Sequence, residues 1–324
     1  MAALYPLKLS PSPSERLWGG TRLREFVPSF KDLKTADPIG EAWLVYSENK
    51  IENGLYQGKT LQELASDLGE SLLGSKSTER YGNKVPLLAK FIDADQALSI
   101  QVHPDDSYAL SKEAETGHLG KVEAWYIMSA KPEASIIWGF KDELSHEEIR
   151  VAIKEGRLEQ HLNTVPVKAG DVIFNPAGTV HAIGAGIFLF EIQQSSDLTY
   201  RLYDFNRRDA AGRLRDLHVD KALEVSDLSP GEHAKVKPEK RSDTVTTVVS
   251  SEHFVAEKWQ ISGETGHQTS ASSLELITVL EGEIGIEAGG SSLVGKQADS
   301  FVLPAALGSL TLNGQGSIMR CYLA

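Results

Sequence analysis

Short segments in which hydrophobic and polar positions alternate, or in which hydrophobic residues run together, extend along most of the chain and predict a mainly β protein. Most are bounded by Gly, Pro, Asp or Asn, a pattern typical of sandwiches and barrels. In the first two thirds, strands are predicted at 41–47, 87–92, 97–103, 122–129, 134–139, 171–174, 187–193 and 198–203. In the last third, strands are predicted at 246–250, 254–261, 274–280, 283–287, 299–303, 309–312 and 317–322, with a hairpin within 279–290.

Helical periodicity interrupts the strands in a few places. Segment 60–72 has leucines at helical intervals and Thr60 and Glu63 in capping-box spacing, and segment 145–158 has Ser145 and Glu148 spaced in the same way. A short helix is expected at 219–225, and a loop is expected at 79–86. The N-terminal part therefore carries short helical insertions.

A charged stretch at about 205–245 separates two regions of predicted strands and indicates two domains. The segment AGDVIFNPAGTVHAI at 169–183 resembles ADSFVLPAALGSLTL at 298–312, which indicates a weak internal repeat. We therefore predict two β-barrels (jelly rolls), at 1–235 and 236–324, of which the second is degenerate. Residues 271–324 contain no histidine, so we expect no imidazole-bound metal in the second barrel.

Charge and cysteine content narrow the classes of function. The net charge of −12 (33 basic and 45 acidic residues) argues against binding to nucleic acid or to an anionic membrane. The single cysteine, Cys321, excludes an intrachain disulfide and a cysteine metal cluster. There is no secretory pattern at the start and no uncharged apolar run of ~18 residues. We expect a cytoplasmic protein, and the sequence gives no sign that it requires a protein partner.

The strongest local motif is GDVIFNPAGTVH, from Gly170 to His181, which has the spacing of the second motif of the cupin barrel. Gly170 and Asp171 form a turn into a strand, and 176–178 form a second turn at the barrel mouth. His181 then begins the return strand facing inward. Small barrels of this kind can enclose one small ligand.

The segment LSIQVHPDD, at 98–106, alternates between an apolar face and a face that carries Ser99, Gln101 and His103. In GKVEAWYIMS, Lys121 and Glu123 share one face of the next strand. If both faces point inward, Gln101, His103 and Glu123 approach His181, and two imidazoles with a carboxylate form a set of ligands for a first-row transition metal. We expect Zn²⁺ by default, with iron, manganese and cobalt as alternatives, and satisfied polar packing as the competing interpretation.

A third constellation lies in FEIQQSSDLTYRLYDFNRR, at 190–208, where Glu191 and Arg201 flank a polar turn. An arginine near a metal commonly balances negative charge on a substrate or transition state. The alternative is that Arg201 forms an ion pair that braces a hairpin.

Together, LSIQVHPDD, GKVEAWYI, NPAGTVHAIGAGIFLFEIQQSSDLTYRLYDFNR and the earlier ERLWGG and GEAWLV resemble type I phosphomannose isomerase in its short bacterial form, a member of the cupin superfamily. The resemblance is dense from about residue 5 to 208 and thinner towards the end, where the family has a second, degenerate cupin. It implies an aldose–ketose isomerase that interconverts mannose 6-phosphate and fructose 6-phosphate through a cis-enediol.

The resemblance also implies roles for individual residues. Zinc ligands fall on His103, Glu123 and His181, with Gln101 at the position of a fourth ligand, and the catalytic arginine falls on Arg201. Four further residues match pocket positions discussed for proton transfer or phosphate binding: Lys121, Glu191, Lys90 and Ser99. Trp18 matches a tryptophan near the pocket. Lys121 and Glu191 are both candidates for the base that moves the proton between C2 and C1.

Phosphate recognition requires local cations in this acidic chain, and Lys90 and Arg201 are the first candidates. For Arg207 and Arg208 we favour a solvated turn. The large helical insertion that longer members carry before the equivalent of His181 is reduced here to 141–165. One competing function is a cupin oxygenase, disfavoured because those enzymes usually carry an H-x-H pair where this chain has a lone His103 followed by proline. The others are a non-catalytic sugar-phosphate sensor and an isomerase of a related sugar phosphate.

Overall fold

The computed structural model describes residues 4–208 and 212–324, and these residues form a mainly β structure. Its strands are Leu7–Leu9 (β1), Ser12–Gly20 (β2), Ile39–Val45 (β3), Leu87–Ala94 (β4), Ile100–Val102 (β5), Glu123–Ala130 (β6), Ser135–Phe140 (β7), Leu162–Pro166 (β8), Val172–Asn175 (β9), His181–Ile183 (β10), Ile187–Gln194 (β11), Tyr200–Tyr203 (β12), Lys235–Val236 (β13), Glu239–Lys240 (β14), Val245–Ser250 (β15), Val255–Gln268 (β16), Glu275–Ala288 (β17), Ser291–Lys296 (β18), Ser300–Leu303 (β19) and Ser309–Tyr322 (β20).

Short helices lie between the N-terminal strands, as predicted. They are Arg22–Phe26 (α1), Leu61–Leu68 (α2), Glu70–Leu73 (α3), Ser75–Tyr81 (α4), Asp106–Lys112 (α5), His146–Lys154 (α6) and Val219–Val225 (α7). Both expected capping boxes are present, at Thr60 and at Ser145. Every described helix is too short or too polar to cross a membrane.

Two helix predictions need correction. The segment 60–72 is divided into α2 and α3 because Gly69 takes a positive φ of 49° between them, a conformation that ends a helix. The predicted loop at 79–86 is helical as far as Tyr81, because α4 continues until Gly82 terminates it with a φ of 65°.

The strands form three sheets. The first has the order β13-β9-β6-β11-β4-β2-β3, with β3 also paired to β4, and the second has the order β12-β5-β10-β7-β8. The third has the order β1-β19-β17-β20-β16-β15-β14, with β18 on β17. As described, none of these sheets closes on itself, so the mainly β prediction is confirmed and closed barrels are not.

The first two sheets pack face to face and enclose an apolar cluster. Ile92, Trp125 and Leu189 come from the first sheet, and Leu98 and Ile183 lie on or beside the second. The inward faces also carry the polar residues predicted from parity, so these polar side chains lie between two sheets and not in solvent.

The third sheet covers the outer, apolar face of the first sheet. Val249, Ala256 and Met319 belong to the same buried cluster as Phe190 and Ile192 of β11. Strand β1, from the start of the chain, pairs with β19 of the third sheet, whereas β13, at 235–236, still pairs with β9 of the first sheet. The division between 235 and 236 stays a prediction.

The predicted break between strands 274–280 and 283–287 is wrong. Strand β17 runs without interruption from Glu275 to Ala288, with a bulge between Val279 and Glu281, and the turn of the hairpin lies at the end of the predicted segment, at Gly289–Gly290. Gly282, with a φ of 84°, lets the strand remain paired because an ideal Cβ there would lie 2.1 Å from the backbone oxygen of Gln315. A glycine that the sequence suggests as a turn is thus a bulge.

Gly74 provides a test of the contact between the helices and the third sheet. Its φ is +87°, and an ideal Cβ there would lie 2.4 Å from the backbone of Ser272 and Ser273. We expect Gly74→Ala to lower the free energy of unfolding by about 3 kcal/mol, because strain in φ adds to this collision. The matched control is Gly58→Ala, where φ is +88° with no atom within 4 Å, and we expect about 1 kcal/mol. Equal losses in urea unfolding would contradict the role of the contact.

Candidate metal centre and active site

Three buried side chains converge between the first two sheets. His103, Glu123 and His181 are each 1% exposed, and one ligand atom of each lies within 4.8 Å of the others. His181 Nε2 lies 3.2 Å from Glu123 Oε1, and His103 Nε2 lies 3.6 Å from Glu123 Oε2. Sequence analysis grouped these three residues, and the structure brings them together.

Backbone carbonyls fix both imidazole rings. His103 Nδ1 lies 2.8 Å from the Leu198 oxygen, and His181 Nδ1 lies 2.8 Å from the Thr179 oxygen. Because a carbonyl only accepts, each Nδ1 carries the proton, and the neutral ring presents a bare lone pair at Nε2. Metal-binding histidines are oriented by the same kind of bond at the other nitrogen.

In this centre, hydrogen-bond acceptors consequently lie next to other hydrogen-bond acceptors. His181 Nε2 has no hydrogen-bond partner among the described residues, although the Glu123 carboxylate is 3.2 Å away. Two acceptors at this separation repel unless a cation lies with them. Lys121 supplies one positive charge, with Nζ 3.0 Å from Glu123 Oε2 and 3.2 Å from His103 Nε2. The donor set therefore fits a metal cation.

The charge states agree with this interpretation. Burial and the Lys121 ammonium lower the pKa of His103 well below its ordinary value, which favours the neutral ring. Burial alone would raise the pKa of Glu123, but Lys121 and the two histidines lower it well below the usual range. The centre thus presents a neutral His103 imidazole and an ionised Glu123 carboxylate.

The register of the second sheet places Gln101 and Arg201 beside His181. His181 on β10 is opposite Gln101 on β5, and Gln101 is opposite Arg201 on β12. Residues opposite one another share a face, so the three side chains form a row across adjacent strands. Ser99 links two of them: its hydroxyl donates to Gln101 Oε1 at 3.3 Å and accepts from Arg201 Nε at 3.2 Å.

A chain of buried charges occupies the facing sheet. Lys90 Nζ lies 3.0 Å from Glu191 Oε1 and 3.4 Å from Glu41 Oε1. The indole of Trp125 donates to Glu191 Oε2 at 2.8 Å. Burial and the charge of Glu123 raise the pKa of Glu191, whereas in Glu41 the raising effect of burial is overcome by Lys90 and Arg16, which lower its pKa to about 2.

A cavity of about 450 Å³ opens onto Glu123 of the metal centre and onto the buried charges of the facing sheet, whereas His103 and His181 lie behind its lining. Its lining includes the sequence-predicted Trp18, Lys90, Ser99, Gln101, Lys121, Glu123, Glu191 and Arg201. Trp18 is 3% exposed and packs with the apolar cluster between the sheets. This volume is of the size that holds a small metabolite.

Several residues at this site were not predicted from the sequence. Asn175 donates to Glu123 Oε1 at 3.4 Å, and Arg16, Glu41 and Arg215 line the cavity. Parity could have found Arg16, which lies two residues before Trp18 on the same strand. No periodic signal marks Arg215, because it lies in an irregular loop.

The solvated-turn interpretation is correct for Arg208, which is exposed, and wrong for Arg207. The side chain of Arg207 is only 14% exposed, and its Nη2 donates to the Ala97 oxygen at 2.6 Å. Burial lowers the pKa of Arg207. Its backbone carbonyl contact and its proximity to Asp204 explain why it folds inward. Neither arginine lines the cavity.

Comparisons with known proteins agree with this architecture. The family model of the type I phosphomannose isomerase catalytic domain matches residues 6–143, and that of the mannose-6-phosphate isomerase cupin domain matches residues 244–323. The chain is 39% identical to the mannose-6-phosphate isomerase ManA of Bacillus subtilis strain 168, over 98% of this chain and 99% of that protein. It is 40% identical to the mannose-6-phosphate isomerase of Streptococcus mutans, over 98% of both.

A solved structure gives the same result in three dimensions. The crystal structure of the mannose 6-phosphate isomerase from Bacillus subtilis aligns with a TM-score of 0.84 and 34% identity, over 98% of this chain and 99% of the other. With full-length similarity in sequence and in fold, the chain belongs to the type I phosphomannose isomerase family of enzymes.

Proposed function

We propose that this enzyme interconverts mannose 6-phosphate and fructose 6-phosphate with the help of a divalent metal. The observation that carries the proposal is the buried His103–Glu123–His181 group, whose acceptors face one another at the wall of a cavity in a chain of this family. A free aldehyde or ketone and an adjacent C–H are the reacting groups, so the site must stabilise a developing enediolate and move one proton.

We propose Zn²⁺ as the metal, because two imidazoles and one carboxylate are a set of ligands found in catalytic zinc sites with an open position. Other first-row divalent metals would accept the same ligands. Gln101, beside His181 in the sheet, is the proposed fourth ligand through its amide oxygen. When bound, the metal supplies Lewis acidity that favours negative charge on the sugar oxygens.

Protein groups around the cavity perform the remaining work. Arg201 places a guanidinium on the same face as Gln101 and stabilises the charge that develops on the cis-enediol oxygens. Glu191 takes the proton from one carbon and returns it to the other, since its raised pKa allows the carboxyl to hold a proton. Lys121, next to Glu123, adds positive charge close to the reacting oxygens.

Three residues shape the substrate site in this proposal. Trp18 forms an apolar wall, Ser99 orients Arg201 through its hydroxyl, and Lys90 fixes the carboxylate of Glu191. The two halves are proposed to be cupin-type domains, 1–235 and 236–324, of which the second covers the first. The only partner that this function requires is the sugar phosphate itself. A cytoplasmic location stays a prediction from the sequence.

A coupled assay with mannose 6-phosphate tests the proposal. We expect turnover by the metal-loaded enzyme, loss of turnover after chelation and dialysis, and recovery when Zn²⁺ is added back. Absence of turnover in protein shown by elemental analysis to contain zinc would contradict the proposed reaction. Unchanged turnover in protein shown to be metal-free would contradict the role of the metal. Faster turnover of another sugar phosphate would assign the site to that substrate.

A further inference from the structure

Two arginines that were not among the predicted site residues line the cavity, one from a strand and one from a loop. Arg16 lies on β2, beside the first sheet's edge, and Arg215 lies in the loop that precedes α7. Both lie near Arg201, and their proximity, together with burial, lowers the pKa of Arg201. The protein has a net charge of −12, yet three guanidinium groups line one cavity. Their positive charge suits the binding of a multiply charged anion.

We propose that Arg16 and Arg215 bind the phosphate group of the substrate, an inference that rests on the proposed sugar-phosphate function. Arginine suits this task because its planar fork matches the geometry of phosphate oxygens and its charge is permanent.

The lysines of the cavity are already committed to carboxylates. Lys90 lies between Glu191 and Glu41, at 3.0 and 3.4 Å, and its side chain is 8% exposed. Lys121 lies 3.0 Å from Glu123 beside the metal centre. Because these two ammonium groups are buried as well as paired, they are less accessible to a phosphate dianion than the more exposed cations of the cavity.

Each arginine is held by a carboxylate and is still partly accessible. Arg215 donates from Nε to Asp204 Oδ2 at 2.7 Å, and its Nη2 contacts the other oxygen of Asp204. Arg16 donates from Nη2 to Glu41 Oε2 at 2.9 Å and from Nη1 to the backbone carbonyl oxygen of Glu15 at 3.2 Å. A guanidinium has five N–H groups, and the side chains of Arg16 and Arg215 are 35% and 26% exposed.

The glycine at position 40 makes the inward position of Arg16 feasible. An ideal Cβ on Gly40 would lie 2.6 Å from Arg16 Cβ and 2.7 Å from the Trp18 ring. The arginine stem and the indole therefore both lie directly over this backbone. A side chain at position 40 would push Arg16 and Trp18 away from the cavity wall.

The distance from the metal centre suits a six-carbon chain. Three adjacent strands carry His181, Gln101 and Arg201. The Cα atoms of Arg201 and His181 are therefore about 10 Å apart across the sheet. An open-chain sugar phosphate whose C1 and C2 lie at the metal centre extends over a comparable length. The guanidinium of Arg201 is held near Gln101 through Ser99, so the phosphate would lie beyond it, in the part of the cavity that Arg16 and Arg215 line.

Acidic residues share this part of the lining. Glu15, Asp37 and Asp197 also line the cavity, and Glu15 accepts a hydrogen bond from the Asp37 backbone at 2.9 Å. Their charge would repel a phosphate if the arginines were absent. The contribution of each arginine to binding is therefore expected to be large.

Steady-state kinetics with mannose 6-phosphate in Arg16→Gln, Arg215→Gln and the double variant tests the proposal. We expect KM to rise at least about tenfold in each single variant and more in the double, because a charge-assisted hydrogen bond to phosphate is lost. We expect kcat to change less than KM. Competitive inhibition by inorganic phosphate should weaken in parallel. Arg150→Gln, which removes an exposed arginine paired with Asp220, is the control and should leave KM unchanged.

Two further variants separate binding from folding. Arg16→Lys keeps a positive charge beside Glu41 and should recover part of the lost affinity. Asp204→Asn leaves Arg215 in place but weakens its anchor, so KM should rise less than in Arg215→Gln. If wild-type enzyme turns over mannose 6-phosphate, and folded Arg16→Gln and Arg215→Gln keep the wild-type KM and phosphate inhibition, this inference is wrong and the proposed function stands. If wild-type enzyme with bound metal does not turn over mannose 6-phosphate, the proposed function fails first.

Discussion

His181→Ala is expected to lower metal content and turnover together, with kcat falling by about 10³-fold or more. His181 supplies one of two imidazoles at the centre, and its Nε2 has no hydrogen-bond partner within the described residues. Removal leaves Glu123, His103 and the amide of Gln101, and we expect this weaker set of ligands to lose a divalent cation on dialysis. The measurement is elemental analysis of the purified protein combined with kcat for mannose 6-phosphate. His103→Ala should behave in the same way.

The control for this prediction is another histidine paired with a buried glutamate. His267 Nε2 lies 2.8 Å from Glu275 Oε2 within the third sheet, and neither residue lines the cavity. We expect His267→Gln to lower stability but to leave metal content and kcat unchanged. A folded His181→Ala protein without metal that retains wild-type turnover would show that the group has only a structural role. Loss of metal in His267→Gln would show that metal content reports global stability.

The positions of the candidate ligands could be predicted because a strand has a period of two residues. That period places Gln101 and His103 on one face, and Lys121 and Glu123 on another, whatever the exact ends of the strands. Strand β5 is shorter than predicted, at Ile100–Val102, yet the parity holds. The buried alternation of LSIQVHPDD therefore lines a cavity, as expected.

The features that complete the centre could not be predicted, because they depend on contacts between distant segments. The ring of His103 is oriented by the carbonyl of Leu198, 95 residues away. Any residue has such a carbonyl, so no side-chain pattern marks its position. Asp204 similarly anchors Arg215 within a charged loop that has no periodicity.

Glycines explain the errors in the third sheet and in the helices. Gly69 divides a helix that leucine spacing predicts as continuous, and Gly282 permits a bulge in a strand that is predicted to be interrupted there. A positive φ serves a turn, a helix end or a bulge equally well. The choice among the three is made by the neighbouring strand, and for Gly282 this is the backbone at Gln315 and Gly316.

Glu191→Gln is expected to reduce kcat by about 10²- to 10⁴-fold and to abolish exchange of the substrate C2 hydrogen with solvent. The substitution keeps the shape of the side chain and an acceptor for the indole of Trp125, which donates to Glu191 at 2.8 Å. Lys90 keeps its contact with Glu41. The loss would therefore reflect the missing base more than a collapsed site. Deuterium uptake from heavy water into recovered mannose 6-phosphate measures the exchange.

Lys121→Met provides the comparison that assigns the base. Because Lys121 Nζ lies 3.0 Å from Glu123, its removal takes a positive charge from the centre, and we expect slower but detectable exchange. The reverse outcome, exchange lost in Lys121→Met and kept in Glu191→Gln, would assign the base to Lys121. Near-normal exchange in both would contradict both assignments.

Glu275→Gln controls for the loss of a buried carboxylate as such: Glu275 is 1% exposed and bound by Arg320 at 2.7 Å, away from the cavity. Its substitution should lower stability and leave exchange intact, since no proton of the substrate can reach it.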